Sequence, residues 1–173
     1  MIVLTELIRK AQAGDGEAFI RLMEENRQSL YKIARSWFPG AMDAEDAVAQ
    51  TVLDCWEKLD TLKKPAHFRT WLIRILINNC KDIVRDRSRL VLTDTPPEPE
   101  GRPDDHSGLY FQELMDALSQ ANRPVMQLYY GEGFKAREIA ELMDLPLGTV
   151  TARLKRGREE LQRKLGKEET GNE

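Results

Sequence analysis

The sequence predicts an all-α protein made of two small helical domains joined by a linker. Over most of its 173 residues, apolar side chains recur at helical spacings, and no alternating strand pattern with hairpin turns interrupts them. A Pro-rich segment, 93–108, separates two groups of helices, and the second group contains two helices joined by a tight turn. We therefore predict a helical bundle over 1–92, a linker over 93–108 and a helix-turn-helix domain over 109–173.

Two helices are expected before Pro39-Gly40. The first, Thr5–Ala13, has one apolar side and ends at a Gly-Asp-Gly break. Asp15 in this break is in position to cap the second helix, Glu17–Trp37, because an aspartate side chain accepts hydrogen bonds from the free N–H groups of a first turn.

The third helix, Ala44–Leu59, should be capped by Asp43 and carries two stripes. The apolar stripe is predicted to face the core and consists of Val48, Val52, Cys55, Trp56 and Leu59. The other stripe consists of Asp46, Gln50, Leu53, Asp54 and Glu57. An acidic stripe of this kind is either a solvated face or a docking face for a basic partner.

The loop 60–66 contains Lys63 and Lys64 and leads to a fourth helix, from about His67 to Arg87. This helix is apolar over much of its circumference, which is typical of a helix central in a bundle or covered by a partner. Its apolar residues are Leu72, Ile73, Ile75, Leu76, Ile77, Cys80, Ile83 and Val84. Its remaining stripe is Arg74, Asn78, Lys81 and Arg85, which suits either a nucleic acid or plain solvation.

The segment 93–108 holds four of the eight prolines and has a net charge of minus four, so we expect an extended acidic linker. Two helices, Leu109–Ser119 and Pro124–Tyr130, should then support the helix-turn-helix. Their predicted packing residues are Leu114, Leu118, Val125, Leu128 and Tyr129.

The helix-turn-helix pattern lies in 135–164, with its turn at 144–146. Val150, Leu154 and Leu161 share the inner face of the second helix. Lys and Arg give 147–167 a net charge of plus five in a chain whose net charge is minus three. Local positive charge beside small side chains is typical of a helix that enters a major groove, although a solvated helical hairpin would look similar. The outer face contains Thr149, Ala152, Arg153, Lys155, Arg156 and Arg158.

Several classes of protein are disfavoured. The N-terminal apolar run is too short for a signal peptide, and the most apolar stretch, 71–77, contains Arg74 and is too short to span a bilayer, so we predict a cytoplasmic protein. Cys55 and Cys80 form no CxxC motif, and the two histidines lack metal-site spacing. We predict no metal and no cofactor; the thiols are buried hydrophobic groups or, alternatively, a redox pair.

No spacing brings a nucleophile, a base and an orienting group together, and there is no phosphate-binding loop. The sequence therefore favours a protein that is not an enzyme and has no small-molecule substrate.

Taken together, these motifs resemble the extracytoplasmic-function (ECF) group of the sigma-70 family, the small two-domain sigma factors of bacteria. In the first domain the resemblance rests on DAED at 43–46, Trp56, Leu59 and FRTWLIRI at 68–75. In the second it rests on EIA at 138–140, LPLGTV at 145–150, RL at 153–154 and RGRE at 156–159.

The resemblance implies a role for each stripe. The acidic stripe (Asp46, Gln50, Leu53, Asp54, Glu57) would dock on the clamp helices of the largest subunit of core RNA polymerase. Promoter melting and the minus-10 element would fall to Lys63, Lys64, Phe68, Arg69, Trp71, Asn78, Lys81 and Arg85. The minus-35 element would be contacted by Thr149, Thr151, Ala152, Arg153, Lys155, Arg156 and Arg158. The linker would thread the active-site cleft and exit channel of the polymerase.

Two departures from the family pattern stand out. The family usually has Gln followed by an acid where this chain has Ala49 and Gln50, which removes a charge from the docking stripe. Asp144 replaces the usual glycine of the turn, and we expect the turn to survive because Asp tolerates the left-handed conformation better than most residues.

The resemblance implies a sigma factor that directs promoter-specific initiation, is monomeric when free and is held by an anti-sigma factor. The alternative is a one-component helix-turn-helix regulator that acts as a dimer on a palindrome.

Overall fold

The structure is a computed structural model that describes residues 2–90 and 109–170, so the predicted linker lies outside the described residues. Throughout the described ranges the regular elements are all helical, as predicted. Within these ranges one compact unit comprises residues 2–35 and 40–90, and a second comprises residues 36–39 and 109–170.

The first two helices are α1, Ile2–Gln12, and α2, Gly16–Trp37. Asp15 caps α2 as predicted, since its Oδ1 accepts hydrogen bonds from the Glu17 and Ala18 N–H groups at 3.1 and 3.2 Å. The end of α1 is tied to a later turn, because the Gln12 side-chain amide donates to the carbonyls of Leu59 and Leu62 at 3.0 and 2.9 Å.

The third helix, α3, is Ala41–Lys58 and begins three residues earlier than predicted. The predicted cap is therefore wrong: Gly40 is at the N-cap position, and Asp43 lies inside the first turn. The Asp43 carboxylate is buried and accepts a hydrogen bond from the Arg87 guanidinium, which joins it to the next helix. Its charge also suits the positive end of the helix dipole.

The buried face of α3 is displaced by about one position from the predicted apolar stripe. It consists of Asp43, Ala44, Ala47, Thr51 and Cys55. Of the predicted stripe, Cys55 and Leu59 are buried and the two valines are half-buried, whereas Trp56 is 45% exposed. The Trp56 ring packs edge-on against the Phe19 ring, at a centroid distance of 4.8 Å. Small side chains occupy the inner face of α3, because they let the neighbouring helix pack closely against it.

That neighbour is α4, Phe68–Leu90, which follows two 3₁₀ turns at Leu59–Thr61 and Pro65–His67. Five of its predicted apolar residues are in the core and at most 2% exposed: Leu72, Ile73, Leu76, Ile77 and Cys80. Of the two predicted alternatives, a helix central in a bundle or one covered by a partner, this burial favours the first.

Cys55 and Cys80 are free and fully buried. Burial raises the pKa of each thiol to about 12, because the thiolate would lose its hydration. Both groups therefore stay protonated and unreactive at neutral pH, which agrees with the role of small hydrophobic groups.

The second unit begins with α5, Leu109–Asp116, and α6, Arg123–Met126, which continues as a π turn over Gln127–Gly131. The Arg123 guanidinium donates to the carbonyls of Met115 and Leu118 at 3.1 and 2.8 Å. Arg123 thus ties the start of α6 to the backbone at and just after the end of α5.

The helix-turn-helix consists of α7, Ala136–Met143, and α8, Leu147–Thr170. Asp144 lies in the turn with φ 54° and ψ 51°, so the expected left-handed aspartate is confirmed. The Pro146 carbonyl accepts hydrogen bonds from the N–H groups of Thr149 and Val150, which places this proline just before the first residue of α8. Val150 and Leu154 are buried on its inner face.

Helix α8 crosses α6 at a point where no side chain fits. A Cβ atom added to Gly157 would lie 2.7 Å from both Cγ and Sδ of Met126, which is itself fully buried. The substitution Gly157→Ala should therefore lower the free energy of unfolding, by about 1–3 kcal/mol, because the core must shift to admit the methyl group. Chemical denaturation of the full chain measures the change.

Gly166→Ala is the matched control, since a Cβ there meets nothing within 4 Å in the same helix. It should leave stability unchanged or raise it slightly, as alanine favours the helix. Equal stability of the two variants would contradict the close crossing at Gly157.

Candidate nucleic-acid and protein interfaces

The first half of α8 presents the predicted minus-35 residues away from the core. Thr151, Lys155, Arg156 and Arg158 are exposed, and Thr149, Ala152 and Arg153 are half-buried. The opposite side of the helix is closed by Val150, Leu154 and Gly157, all buried. The structure therefore brings this predicted set together on one outward face of one helix, with small side chains near its start and cations beyond.

Two tyrosines lie next to this basic face and were not predicted as surface residues. Tyr129, which the sequence assigned to packing, is 37% exposed and Tyr130 is 48% exposed. Their rings meet edge-on at a centroid distance of 4.8 Å, and Nη1 of Arg158 donates to the Tyr130 hydroxyl at 3.3 Å. The π turn that carries them has no sequence signature that would have shown their exposure.

A single carboxylate fixes the middle of α8 to the start of α6. Glu160 accepts hydrogen bonds from the Ser119 N–H at 2.6 Å, from the Ser119 hydroxyl at 3.0 Å and from the Asn122 side-chain amide. Partial desolvation raises the pKa of Glu160, but these hydrogen bonds and the attraction of Arg163 outweigh it, so the pKa lies below its ordinary value. The basic helix is thus held in place by one of its few acids.

In the first unit, the predicted docking stripe on α3 faces outward. Asp46, Gln50 and Glu57 are exposed and Leu53 is 60% exposed. Asp54 differs because it is half-buried and hydrogen-bonded on both carboxylate oxygens. Oδ1 accepts from the Gln50 amide at 2.9 Å, and Oδ2 accepts from the Asn79 amide of α4 at 3.0 Å.

The predicted minus-10 residues divide into a surface group and one buried residue. Lys63, Lys64, Arg69, Asn78 and Arg85 are exposed, and Trp71 and Lys81 are half-buried. Arg85 is paired with Asp82 on the same helix.

Phe68 does not belong to this surface group. Its side chain is 1% exposed, so in this structure it is not on the surface with the rest of the predicted DNA-binding set. The first turn of α4 points this ring into the core, where it meets the Trp71 ring at a centroid distance of 6.1 Å.

Residues 2–90 and 109–170 contain no cluster of three or more His, Cys, Asp or Glu side chains placed to hold a metal ion. In the same described ranges, no helix combines the length and apolar character needed to cross a bilayer.

Two family models match the chain and together span more than half of it. Residues 22–90 match the model of sigma-70 region 2, and residues 108–161 match that of sigma-70 region 4. The matched segments contain the predicted docking stripe, α4, α7 and α8 as far as residue 161.

Curated relatives align with the chain over nearly its full length. The ECF RNA polymerase sigma factor SigW of Bacillus subtilis is 24% identical over 95% of this chain and 97% of its own length. The ECF RNA polymerase sigma factor SigM of Mycobacterium tuberculosis is 27% identical over 96% of this chain and 86% of its own length.

Two solved structures share the fold. CnrH, solved in complex with the cytosolic domain of CnrY, is 26% identical with a TM-score of 0.65, and the match covers 94% of this chain and 97% of that chain. The sigma factor RpoE of Bartonella quintana, solved with the anti-sigma factor NepR, is 25% identical with a TM-score of 0.66, over 86% of this chain and 96% of that chain.

The Glu160 contacts predict a pH dependence of stability. Because the pKa of Glu160 is lowered in the folded state, the stabilisation is complete at neutral pH and is lost as the pH falls through this lowered pKa, below the ordinary range of a glutamate. Glu160→Gln should therefore be less stable than the native chain at pH 7, and the difference should shrink at pH 3. Chemical denaturation at both pH values measures it. Glu159→Gln, an exposed neighbour, is the control; a Glu160→Gln deficit independent of pH would contradict the prediction.

Proposed function

This chain belongs to the sigma-70 family, in its ECF group, and from that premise we propose how its three outward faces divide the work of transcription initiation. It is a sigma factor that binds core RNA polymerase and directs initiation at specific promoters. The observation that carries the proposal is the arrangement of α3, α4 and α8. Each buries its apolar side and leaves outward the polar stripe that the family resemblance assigns to polymerase or DNA.

We assign recognition of the minus-35 element to α8. Thr149, Thr151 and Ala152 lie near the start of the helix, where small side chains allow close approach to base edges. Arg153, Lys155, Arg156 and Arg158 follow as cations for phosphates and guanine edges. The exposed Tyr130 hydroxyl, which accepts from Arg158, lies beside this face.

The minus-10 element and strand separation are assigned to α4 and the turns before it. Lys63, Lys64 and Arg69 offer positive charge, while Asn78 offers an amide that can pair with a base edge. Trp71 is half-buried and presents part of its ring for stacking, which stabilises unpaired bases. Lys81 and Arg85 continue the same side of the helix.

Docking on core polymerase is assigned to the stripe Asp46, Gln50, Leu53, Asp54 and Glu57 on α3. Its acids suit a basic partner surface, and Leu53 supplies an apolar contact within it. In this proposal residues 1–92 act on polymerase and the minus-10 element, 93–108 form the linker through the polymerase, and 109–173 read the minus-35 element. The protein works in the cytoplasm and carries out no catalysis of its own.

We also propose control by an anti-sigma factor. One of the solved structures similar to this chain is a complex with a protein named as an anti-sigma factor. A one-component dimeric regulator is the less favoured function, because such a protein has no need of the region 2 match over residues 22–90.

The test is binding of the purified chain to core RNA polymerase, followed by run-off transcription from genomic fragments. The proposal expects saturable binding and new, discrete start sites that require the chain. Sequence-specific DNA binding by the free protein as a dimer, with no binding to core polymerase, would overturn it in favour of the regulator.

Arg156→Ala should reduce run-off transcription about tenfold at promoters that have the minus-35 element, because one contact to a phosphate or base edge is lost. Binding to core polymerase should be unchanged, since α8 is not the docking face. Arg21→Ala, an exposed arginine of α2, is the control and should affect neither measurement. If Arg156→Ala weakened polymerase binding and transcription equally, the assignment of α8 to DNA would fail.

A further inference from the structure

The side chain of Asn79 bridges the two central helices of the first unit. It is half-buried on α4, and its amide nitrogen donates both of its protons to α3. One goes to Oδ2 of Asp54 at 3.0 Å and the other to the Thr51 hydroxyl at 3.1 Å. Thr51 in turn donates to the Ala47 carbonyl at 2.7 Å, so the bridge ends on fully buried backbone.

Asp54 is therefore held from two directions. Asn79 fixes one carboxylate oxygen, and Gln50, one turn earlier on α3, donates to the other at 2.9 Å. A carboxylate oxygen has two acceptor sites, so each oxygen can still accept a hydrogen bond from outside. The result is an anion with a fixed orientation in the middle of the docking stripe.

Gln50 occupies a position that matters for docking in the family. The family usually carries an acid there, and this chain has an amide that donates to Asp54 instead. We propose that Asp54 is the anion that pairs with an arginine or lysine of core polymerase, and that Asn79 is the positioning residue that holds it ready. This inference rests on the proposed function, and it adds the group that anchors docking and the residue that orients it.

The physical basis is the cost of ordering a charged side chain on binding. An aspartate that must be immobilised loses rotamer freedom when the partner arrives, whereas one already held by two amides loses little. Asn79 thus raises affinity without touching the polymerase.

The experiment measures equilibrium binding of the full chain to core polymerase for Asn79→Ala, Asp54→Asn and the double variant. Asn79→Ala should weaken binding roughly three- to tenfold through lost ordering. Asp54→Asn should weaken it about thirtyfold through loss of the charge pair. The double variant should bind as Asp54→Asn does, within about twofold, because Asn79 then has no anion to position.

Salt dependence separates positioning from a general loss of structure. Asn79→Ala keeps the charge of Asp54, so its affinity should fall with added salt in parallel with the native chain, whereas Asp54→Asn should give a shallower dependence. Glu24→Gln, an exposed acid of α2 outside the stripe, is the charge-matched control and should change neither quantity.

Two results together would overturn the inference and leave Asn79 with a role in the fold alone. The losses of binding affinity would be additive in the double variant, and the thermal stability of Asn79→Ala would fall enough to account for its weaker binding. Native-level binding by Asp54→Asn would overturn it as well, while the proposed function would stand. Absence of binding by the native chain would remove the proposed function and this inference together.

Discussion

Close packing of α3 against α4 sets the arrangement of the first unit. Ala44, Ala47 and Thr51 line the inner face of α3, and side chains this small let two helical backbones approach closely. Side-chain hydrogen bonds also join α3 to α4. One lies near the start of α3, between Asp43 and Arg87, and another lies further along, between Asp54 and Asn79. Because this contact uses the small face of α3, Trp56 and the exposed residues of the docking stripe (Asp46, Gln50, Leu53 and Glu57) are left outside. The surface assigned to polymerase is thus a consequence of how the core is built.

The second unit depends on a comparable approach between α6 and α8. Gly157 removes the side chain at the crossing, so that Met126 packs directly on the helix backbone. Glu160 then fixes the same part of α8 by accepting hydrogen bonds from Ser119 and Asn122. Together these contacts close the inner face of α8 and leave its cations on the outer face, where local positive charge attracts anions.

Periodicity and turn residues were enough to predict the helices, the capping role of Asp15 and the outward direction of the basic face of α8. They did not predict the inner face of α3, because hydrophobicity favours valine and tryptophan where close packing favours alanine and threonine. Asp43 was predicted to be a helix cap because a local sequence pattern does not include its partner, Arg87, which is far away in the sequence. Phe68 was assigned to DNA by its motif, whereas burial is decided by the fold. Asn79 belongs to neither stripe of α4, so no pattern marked it; only the geometry brings it to Asp54.

The left-handed turn between α7 and α8 also bears on how this protein can vary. Position 144 has φ 54° and ψ 51°. Glycine adopts this backbone conformation without strain, asparagine and aspartate tolerate it, and other residues are strained in it. In the genetic code, aspartate codons are a single base change from those of glycine and also from those of asparagine. Aspartate therefore stands between the two, and mutation can reach either of them without passing through a residue that would strain the turn. The identity of this residue can drift while the angle between the helices is preserved.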